Sequence, residues 1–433
     1  MAIFPEIDTR IDGKIESIKG EVHRFAAEQL RPLAIEIDRL SDEEYQKKIP
    51  DKDGPWWKAM KQIKKLGYNM LFVPEAAGGP DFSPLERWVI GEEIAWGGSG
   101  FSICLGVDQC AIFWALVAGK QDLVEELVKK LKDPNEQGCW AVTEPEHGSN
   151  CILTGTPYMH DPEVGTLNCK ARIEGDEVVI EGAKSSWVSA APCSTYTALH
   201  VAFEGYGKTF AESAGVVFVP YPYEGGKGVE KGKPLLKIGH RYNPQGELFF
   251  KEVRVPKDYI LVEPGKFEQM QHVFWGITTS LMSITWVGHA RACFEEALRY
   301  VQQRKQGGKL IWEHQLTQQK LYDMYEKVET ARAYGRLLFE HVWDKLVVKQ
   351  KPEELNHSAV AVSQVYCKRI AFEVAHIAVQ IHGANGITRD YVIEKLFRDT
   401  RPALIEDGTP DMFAIQLGYD IAVSYTHLTL PTN

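Results

Sequence analysis

The strongest chemical signal in the sequence is the segment WAVTEPEHGSN (140–150), an apolar strand start followed by a turn of small residues. The hydroxyls of Thr143 and Ser149, together with exposed backbone N–H groups in such a turn, can bind the polar edge of a planar cofactor or a phosphate. Taken alone, the segment is more typical of a simple connection between a strand and a loop.

A second segment, KSSWVSAA (184–191), places a hydroxyl two residues after a tryptophan. In a strand, Trp187 and Ser189 point to the same face, so an indole could cover an aromatic ring system while the hydroxyl binds a ring heteroatom. The alternative is a tryptophan in the core of a β-domain.

The third segment, QRKQGGKLIWEHQ (303–315), places Arg304 and Lys305 just before a Gly-Gly pair. We expect these cations to close a long helix, where positive charge is favourable in any case. The functional alternative is a pyrophosphate contact by Arg304.

Two further segments follow each other, QIHGANG (380–386) and EKLFRDTRPALIEDGTPDMF (394–413). Gly383 and Gly386 would end a helix or let the backbone approach a ligand closely. Glu406 and Asp407 are adjacent carboxylates in a predicted loop between helices, where acidic residues often do no more than cap the next helix.

Helices and strands must bring these segments into position. The pattern predicts helices from Ile15 to Leu40 and from Gln109 to Leu131, with loops at 50–55 and 75–84. Between 139 and 262, short runs of Val, Ile, Thr and Phe alternate with Gly and Pro, which predicts strands. The segment from Ala171 to Ile180 predicts a hairpin turning at Gly175-Asp176.

From residue 263 to 422 the helical period returns, with apolar stripes and small residues that predict antiparallel helices in a bundle. The prediction is therefore an α+β protein with three parts. These are an N-terminal helical domain (1–138), a β-domain facing the ligand (139–262) and a C-terminal four-helix bundle (263–422). A Rossmann fold is not expected, since no strand leads into G-x-G-x-x-G and a helix.

Composition excludes several classes of function. The chain has 433 residues and a net charge of −10, so a nucleic acid is not an expected partner. Its eight cysteines form no Cys-x-x-Cys pair, which predicts reduced thiols and no metal site. We find no signal peptide and no run of 18 apolar residues, which predicts a cytoplasmic protein without a membrane span.

The last eleven residues, VSYTHLTLPTN (423–433), break the preceding helical pattern and look like a translated sequencing adapter. We expect this tail to be non-native, in which case the natural C-terminus is missing. The alternative is a disordered tail.

Together, the motifs TEPxxGS, W-V-S, RKxxGKLxxEHQ, QIHGxNG and a carboxylate before Gly-Thr resemble those of the acyl-CoA dehydrogenase family. The resemblance covers residues 15–422, in the same order of helical, β and helical parts. It implies non-covalently bound FAD, an acyl-CoA substrate, a homotetramer or homodimer, and an electron-transfer flavoprotein as the electron acceptor.

The resemblance also implies roles for individual residues. Those expected to contact FAD are Trp140, Val142, Thr143, Gly148, Ser149, Trp187, Ser189, Arg304, Gln315, Gln380, Gly383, Thr409 and Asp411. Arg304, Gln315, Gln380, Gly383 and Thr409 match positions that hold FAD across a subunit boundary. Those expected at the substrate are Ser149, Thr278 and Gly408.

Asp407 falls where most family members place the glutamate that removes the α-proton, while the β-hydride passes to flavin N5. A buried carboxylate suits this task, because loss of water raises its pKa towards the working range. In having an aspartate at this position, the sequence resembles family members that act on alicyclic acyl-CoAs, and it also resembles nitroalkane oxidase. Glu406 is the alternative base. Some relatives have the base at the position of Thr278, which cannot serve.

Several positions depart from the family pattern. Thr279 stands where many members have arginine, Gln306-Gly307 replaces Thr-Phe, and Asp411 replaces a glutamine. The stretch 151–168 is longer than usual, and we expect either an acyl-specificity loop at the mouth of the active site or a solvent-exposed excursion.

Three functions follow from these observations. The first is an FAD-dependent acyl-CoA dehydrogenase acting on an alicyclic or branched thioester. The second is a flavoprotein oxidase of a small non-CoA acid, similar to nitroalkane oxidase. The third is a non-catalytic binding protein that keeps the fold.

Overall fold

The computed structural model describes residues 6–429, with side chains to residue 423. The N-terminal helices are α1 (Gly13–Phe25), α2 (Arg31–Arg39), α3 (Asp42–Lys48), α4 (Pro55–Lys65), α5 (Pro84–Val117) and α6 (Gln121–Lys132). A π-helical turn, Ala26–Leu30, joins α1 to α2 and gives the nearly continuous helix that the sequence predicts. The predicted helix from Gln109 to Leu131 is wrong in extent, because the chain breaks between α5 and α6 at Gly119, where φ is +68°.

The middle of the chain is built from strands. They are β1 (Gly138–Ala141), β2 (Lys170–Glu174), β3 (Glu177–Ser189), β4 (Tyr196–Phe203), β5 (Ala214–Pro220), β6 (Val229–Lys231), β7 (Gln245–Pro256) and β8 (Ile260–Val262), with the short helix α7 (Phe210–Ser213) before β5. The sheet order is β6-β7-β3-β2-β4-β5-β8, and β1 pairs with β4. The predicted hairpin is confirmed, since β2 and β3 pair antiparallel across Gly175-Asp176.

The C-terminal part is helical again. Its elements are α8 (Phe267–Val301), the small hairpin β9 (Lys305–Gln306) and β10 (Lys309–Leu310), α9 (Gln315–Trp343), α10 (His357–His382), α11 (Val392–Thr400) and α12 (Pro410–Thr429). The helical, β and helical order confirms the predicted α+β class. Helix α8 ends at Val301, and the backbone N–H of Arg304 still donates to the carbonyl of Tyr300 at 3.0 Å, so Arg304 lies at the end of this helix as expected, whereas Lys305 begins β9.

Part of the C-terminal tail is helical. Helix α12 continues to Thr429, so the helical pattern does not break at residue 423. Residues 430–433 of the predicted non-native tail lie outside the described part of the chain.

Helix α5 runs through the centre of the molecule and contacts α8, β1 and α1. It is the one described helix long and apolar enough to cross a membrane, yet 72% of its most apolar window is buried inside the protein. Burial against the other layers explains its apolar composition, because a helix that is apolar all round suits the core of a large protein.

The connection from Cys151 to Asn168 is not a solvent-exposed excursion. Cys151, Met159 and Leu167 belong to the main core under β4 and α8, with exposed fractions of 2%, 1% and 0%. The backbone N–H of Gly155 also donates to the Glu268 carboxylate at 2.5 Å, which ties this connection to the start of α8. Long loops with their own buried side chains are frequently functional.

Candidate functional site

Two distant segments meet at the site. The hydroxyl of Ser149, which ends the TEPEHGS turn, accepts a hydrogen bond of 3.1 Å from the backbone N–H of Thr409. Ile152 in the following turn and Phe413 in α12 share one small apolar cluster with Trp275 of α8. The structure therefore brings the turn after β1, the start of α8 and the loop before α12 to one place.

Gly408 is required at this junction. Its φ is +78°, and a Cβ placed on it would lie 2.8 Å from the Phe413 ring and 3.1 Å from Ile152. Any side chain would both strain the backbone and push the loop away from the turn. The glycine thus holds the predicted substrate-binding loop close to Ser149.

The TEPEHGS turn is anchored by a buried ion pair that the sequence analysis did not identify. Glu144 accepts from the Lys184 ammonium at 2.6 Å, and both side chains are fully buried. The Glu144 carboxylate also accepts the backbone N–H of Asn168 at 2.5 Å and that of Cys169 at 3.0 Å. Strand β3 also contains Glu177 and Glu181, so a charge in this strand did not by itself mark Lys184 in the sequence.

Trp140 is half-buried within an aromatic cluster. Its indole N–H donates to Nε2 of the buried His200 at 2.9 Å, and its ring lies 5.1 Å from Phe274 and 5.5 Å from Trp275. Burial holds the pKa of His200 well below its usual value, so the imidazole is neutral and can accept this hydrogen bond. Trp140 is therefore a rigid wall between the sheet and α8. Val142, Thr143 and Gly148 follow it and are also half-buried.

Trp187 and Ser189 lie at the end of β3, as the sequence predicts. The indole of Trp187 is 55% exposed, an unusual exposure for so large an apolar side chain. A flat ring system lying on it would remove this surface from water, so an exposed indole beside a hydroxyl fits the planar part of FAD.

The hydroxyl of Ser189 has a defined orientation. Its oxygen accepts from the Asn243 amide at 3.3 Å and from the Gln245 amide at 3.2 Å. Lys237 donates to the Gln245 side-chain oxygen at 2.8 Å, which fixes the direction of that amide. Because two donors occupy the Ser189 oxygen, its own hydrogen is left to donate outward. Lys237, Asn243 and Gln245 had no motif that marked them in the sequence.

Asp407 is in the loop between α11 and α12 and has a left-handed backbone, with φ of +51°. Its carboxylate accepts from the Gln364 amide at 3.3 Å. Burial raises the pKa of Asp407, and the positive charge of Lys368 opposes this rise. For Glu406, burial raises the pKa to about 7, against the charges of Lys368 and Lys237. Two adjacent acids with raised pKa values are thus held beside the buried Lys368 and the half-buried Lys237.

Two further predicted residues, Thr278 and Arg304, lie towards opposite ends of α8. Thr278 is buried in α8, one turn after Phe274, and its hydroxyl turns back to the Phe274 carbonyl at 3.5 Å. Arg304 follows the other end of α8, about six helical turns away. The structure therefore does not place Arg304 beside the predicted substrate residues of the same chain.

Arg304 belongs to a second, exposed group at the far end of the bundle. Tyr300 stacks on His382 with ring centroids 4.0 Å apart, which joins the end of α8 to the end of α10. The other exposed members of this group are Gln315, Gln380 and Gly383. Gly383 ends α10 with φ of +60°, as predicted. Asp411 is also exposed, and its carboxylate lies 3.7 Å from Arg369.

All eight cysteines are buried and none forms a disulfide, in agreement with the expected reduced thiols. Within residues 6–423, no group of three His, Cys, Asp or Glu side chains is arranged to hold a metal ion.

Comparison with known proteins gives two family matches. The N-terminal domain of acyl-CoA dehydrogenase matches residues 14–133, and its C-terminal domain matches residues 278–419. Together these matches cover more than half of the chain. A glutaryl-CoA dehydrogenase from Desulfococcus multivorans is 26% identical over 423 residues, which is 96% of this chain and 98% of that protein.

Solved structures share the fold. A glutaryl-coenzyme A dehydrogenase in complex with glutaryl-CoA has a TM-score of 0.80 at 23% identity, over 96% of this chain and 97% of the other. Nitroalkane oxidase in complex with spermine has a TM-score of 0.82 at 20% identity, over 96% and 97%. The family matches, the full-length relative and the shared fold lead to one conclusion: the chain belongs to the acyl-CoA dehydrogenase family of FAD-dependent oxidoreductases.

Proposed function

We propose that this protein dehydrogenates an alicyclic or branched acyl-CoA, with Asp407 as the base that removes the α-proton. The observation that supports this most directly is the junction of Ser149 with Thr409, which places the acid loop against the turn that begins beside Trp140. Bound FAD supplies the hydride acceptor for this chemistry.

The carboxylate of Asp407 has the properties that a base needs. It is held by Gln364, so its direction is fixed before substrate arrives. Burial brings its pKa up from the ordinary range of an exposed aspartate, which makes it a better proton acceptor near neutral pH. Its backbone N–H and that of Gly408 are available to stabilise negative charge on a thioester oxygen.

The surroundings of the acid favour a compact acyl group. Aspartate is one methylene shorter than glutamate, so the substrate carbon must come closer to the loop. Trp140, Trp275 and Phe413 form rigid walls around this place, and Ile152 from the long connection fills the gap beside Gly408. Rigid aromatic walls and a short acid suit a ring or a branch better than a long flexible chain.

The residues that would hold FAD fall into two groups. Trp187, Ser189 and Thr143 would hold the ring system, while Arg304, Gln315, Gln380 and Gly383 would hold the phosphates and adenine of an FAD bound mainly by another copy. The second group is exposed, and Arg304 lies about six helical turns from Thr278 along the bundle, which supports a homodimer or homotetramer. An electron-transfer flavoprotein would then take the electrons.

A screen of acyl-CoA thioesters tests this function. The purified protein is mixed anaerobically with cyclic, branched and straight-chain thioesters, and bleaching of the oxidised flavin absorbance is recorded. We expect bleaching with cyclic or branched acyl groups and turnover with an artificial electron acceptor. Direct oxygen consumption with nitroalkanes and no reaction with any thioester would instead favour the oxidase. A colourless protein that gains no flavin spectrum with added FAD would favour the non-catalytic alternative.

A further inference from the structure

Two neighbouring side chains of α10 hold the acid loop, Glu406–Thr409. Lys368 donates to the carbonyl oxygen of Glu406 at 2.6 Å and to that of Gly408 at 3.0 Å. Gln364 donates to the carbonyl oxygen of Asp407 at 3.1 Å. Since residues four apart on a helix are adjacent on its surface, one patch of α10 binds three successive carbonyl groups.

This contact fixes where the N–H groups of the loop point. In a trans peptide, the N–H of each residue points opposite to the preceding carbonyl. Three carbonyls turned towards α10 therefore turn the N–H groups of Asp407, Gly408 and Thr409 away from it. The last of these three meets the Ser149 hydroxyl, which shows that the far side of the loop faces the TEPEHGS turn.

The other two N–H groups face the same side. Within residues 6–423, the amides of Asp407 and Gly408 donate to no backbone or side-chain acceptor, whereas the amide of Glu406 donates to the carbonyl of Pro402 at 2.9 Å. Adjacent unpaired N–H groups in left-handed conformation form a site for negative charge. The conformation itself costs roughly 1–2 kcal/mol at a residue such as Asp407, so it needs the contacts from α10 to persist.

Lys368 has no other evident task. It is fully buried, and among the described residues no carboxylate oxygen lies within 4 Å of its ammonium group. Burying a charged ammonium group has an unfavourable desolvation free energy, and hydrogen bonds to two backbone carbonyls compensate for it only in part. An apolar residue would pack at this position without that cost.

We propose that Lys368 and Gln364 are positioning residues of the reaction: they hold the N–H groups of Asp407 and Gly408 towards the substrate, and the charge of Lys368 keeps Asp407 ionised. The inference rests on the function proposed above. The charged groups around Asp407 are Lys368 on α10 and the adjacent Glu406, which in turn faces Lys237; the thiol of Cys110 approaches from α5. Burial lowers the pKa of Lys368 to about 8, so its charge is present at and below neutral pH.

The test compares Lys368→Met with Lys64→Met. Lys64 is a buried lysine that pairs with Asp108 at 3.0 Å, away from the acid loop, so its loss reports on stability alone. For Lys368→Met we expect the acid limb of the kcat/KM pH profile to move up by on the order of one pH unit. Exchange of the substrate α-proton with deuterated water should fall on the order of tenfold at pH 7, with FAD content retained. Lys64→Met should lower Tm and leave the acid limb of the kcat/KM pH profile unchanged.

A readout without substrate separates this inference from the proposed function. Hydrogen exchange of peptides covering 400–413 should speed up in Lys368→Met and stay unchanged in Lys64→Met. Faster exchange in a protein that is inert towards every thioester would leave the positioning role standing and reject the function. The inference would be overturned if Lys368→Met is active and neither the acid limb of its kcat/KM profile nor the hydrogen exchange of residues 400–413 differs from the wild type.

Gln364→Met provides a second variant if Lys368→Met does not fold. It removes the contact with the Asp407 carbonyl and carboxylate without changing the charge. We expect slower α-proton exchange and a higher kinetic pKa, with KM less affected than kcat. If a folded Gln364→Met protein has the wild-type rate of α-proton exchange and the wild-type kinetic pKa, the positioning role is contradicted.

Discussion

The hydroxyl of Ser149 and the backbone N–H of Thr409 form a hydrogen bond of 3.1 Å although 260 residues separate them in the chain. This bond joins a turn of the β-domain to the loop before α12. Its consequence is that the loop containing Asp407 lies against the turn that follows β1.

The role of Asp407 is tested by Asp407→Asn. Asparagine tolerates the left-handed backbone that Asp407 adopts, so the loop should keep its shape while losing the base. We expect normal FAD content and a fall in the rate of flavin reduction of roughly 10²–10⁴-fold, measured by anaerobic stopped-flow. The matched variant Glu406→Gln should reduce flavin at a rate close to wild type. The reverse pattern would identify Glu406 as the base.

The role of Trp187 is tested by Trp187→Ala. Because this indole is 55% exposed, its removal should lower the stability of the apoprotein only slightly. A flavin ring system that packs on the indole would lose that contact. We expect less FAD per protein after purification and an unchanged Tm of the apoprotein. Tyr206→Ala, which removes a 49% exposed aromatic side chain of the same β-domain, should keep its FAD. Equal FAD contents in the two variants would argue against a flavin contact at Trp187.

The buried pair of Glu144 and Lys184 should matter for stability. Lys184→Met leaves an unpaired buried carboxylate under the TEPEHGS turn, which costs about 3–5 kcal/mol of unfolding free energy. Urea denaturation measures the change. Arg172→Ala breaks the solvent-exposed contact with Glu252, and the loss of stability there should be much smaller. A similar small loss for both variants would show that Glu144 finds another partner or is solvated.

The contribution of the exposed group at the end of the bundle is tested by Arg304→Ala. If this arginine holds FAD bound mainly by another copy, FAD content should fall while the Tm of the apoprotein stays the same. Arg299→Ala removes an arginine from the last turn of α8 that pairs with Glu296 at 2.6 Å, and it should keep FAD. Size-exclusion chromatography with light scattering should show FAD only in dimers or tetramers. A flavin-loaded monomer would contradict the shared site.

The histidine pair of α8 and α10 gives a pH prediction. The rings of His272 and His357 lie 3.7 Å apart, and burial and the neighbouring His272 lower the pKa of His357 to about 3. A histidine kept neutral in the folded state takes up its proton only on unfolding, so its contribution to stability is complete above its ordinary pKa and is lost as pH falls below it. In His357→Gln, the loss of unfolding free energy between pH 7 and pH 5 should be smaller by about 2 kcal/mol. An unchanged loss would show that His357 protonates in the folded protein.

Much of this molecule follows from local sequence. The period of apolar residues predicts α8 and α9, the turn Gly175-Asp176 predicts the hairpin, and the spacing of Trp187 and Ser189 places both on one face of β3. These features depend on contacts between residues close in the chain, and local patterns report such contacts. The family motifs are of the same kind, since each lies within one turn or one strand end.

The tertiary structure decided what surrounds these motifs. Glu144 and Lys184, Ser149 and Thr409, and Lys368 with the acid loop are pairs brought together only by packing of the sheet on the bundle. No pattern in the sequence marks them, because a buried lysine looks like any other lysine until its neighbours are known. The ends of elements were also decided by packing and backbone geometry, as at Gly119, where α5 stops. The sequence thus determined the family and the chemical groups, whereas long-range contacts determined which way those groups point and how strongly they hold a proton.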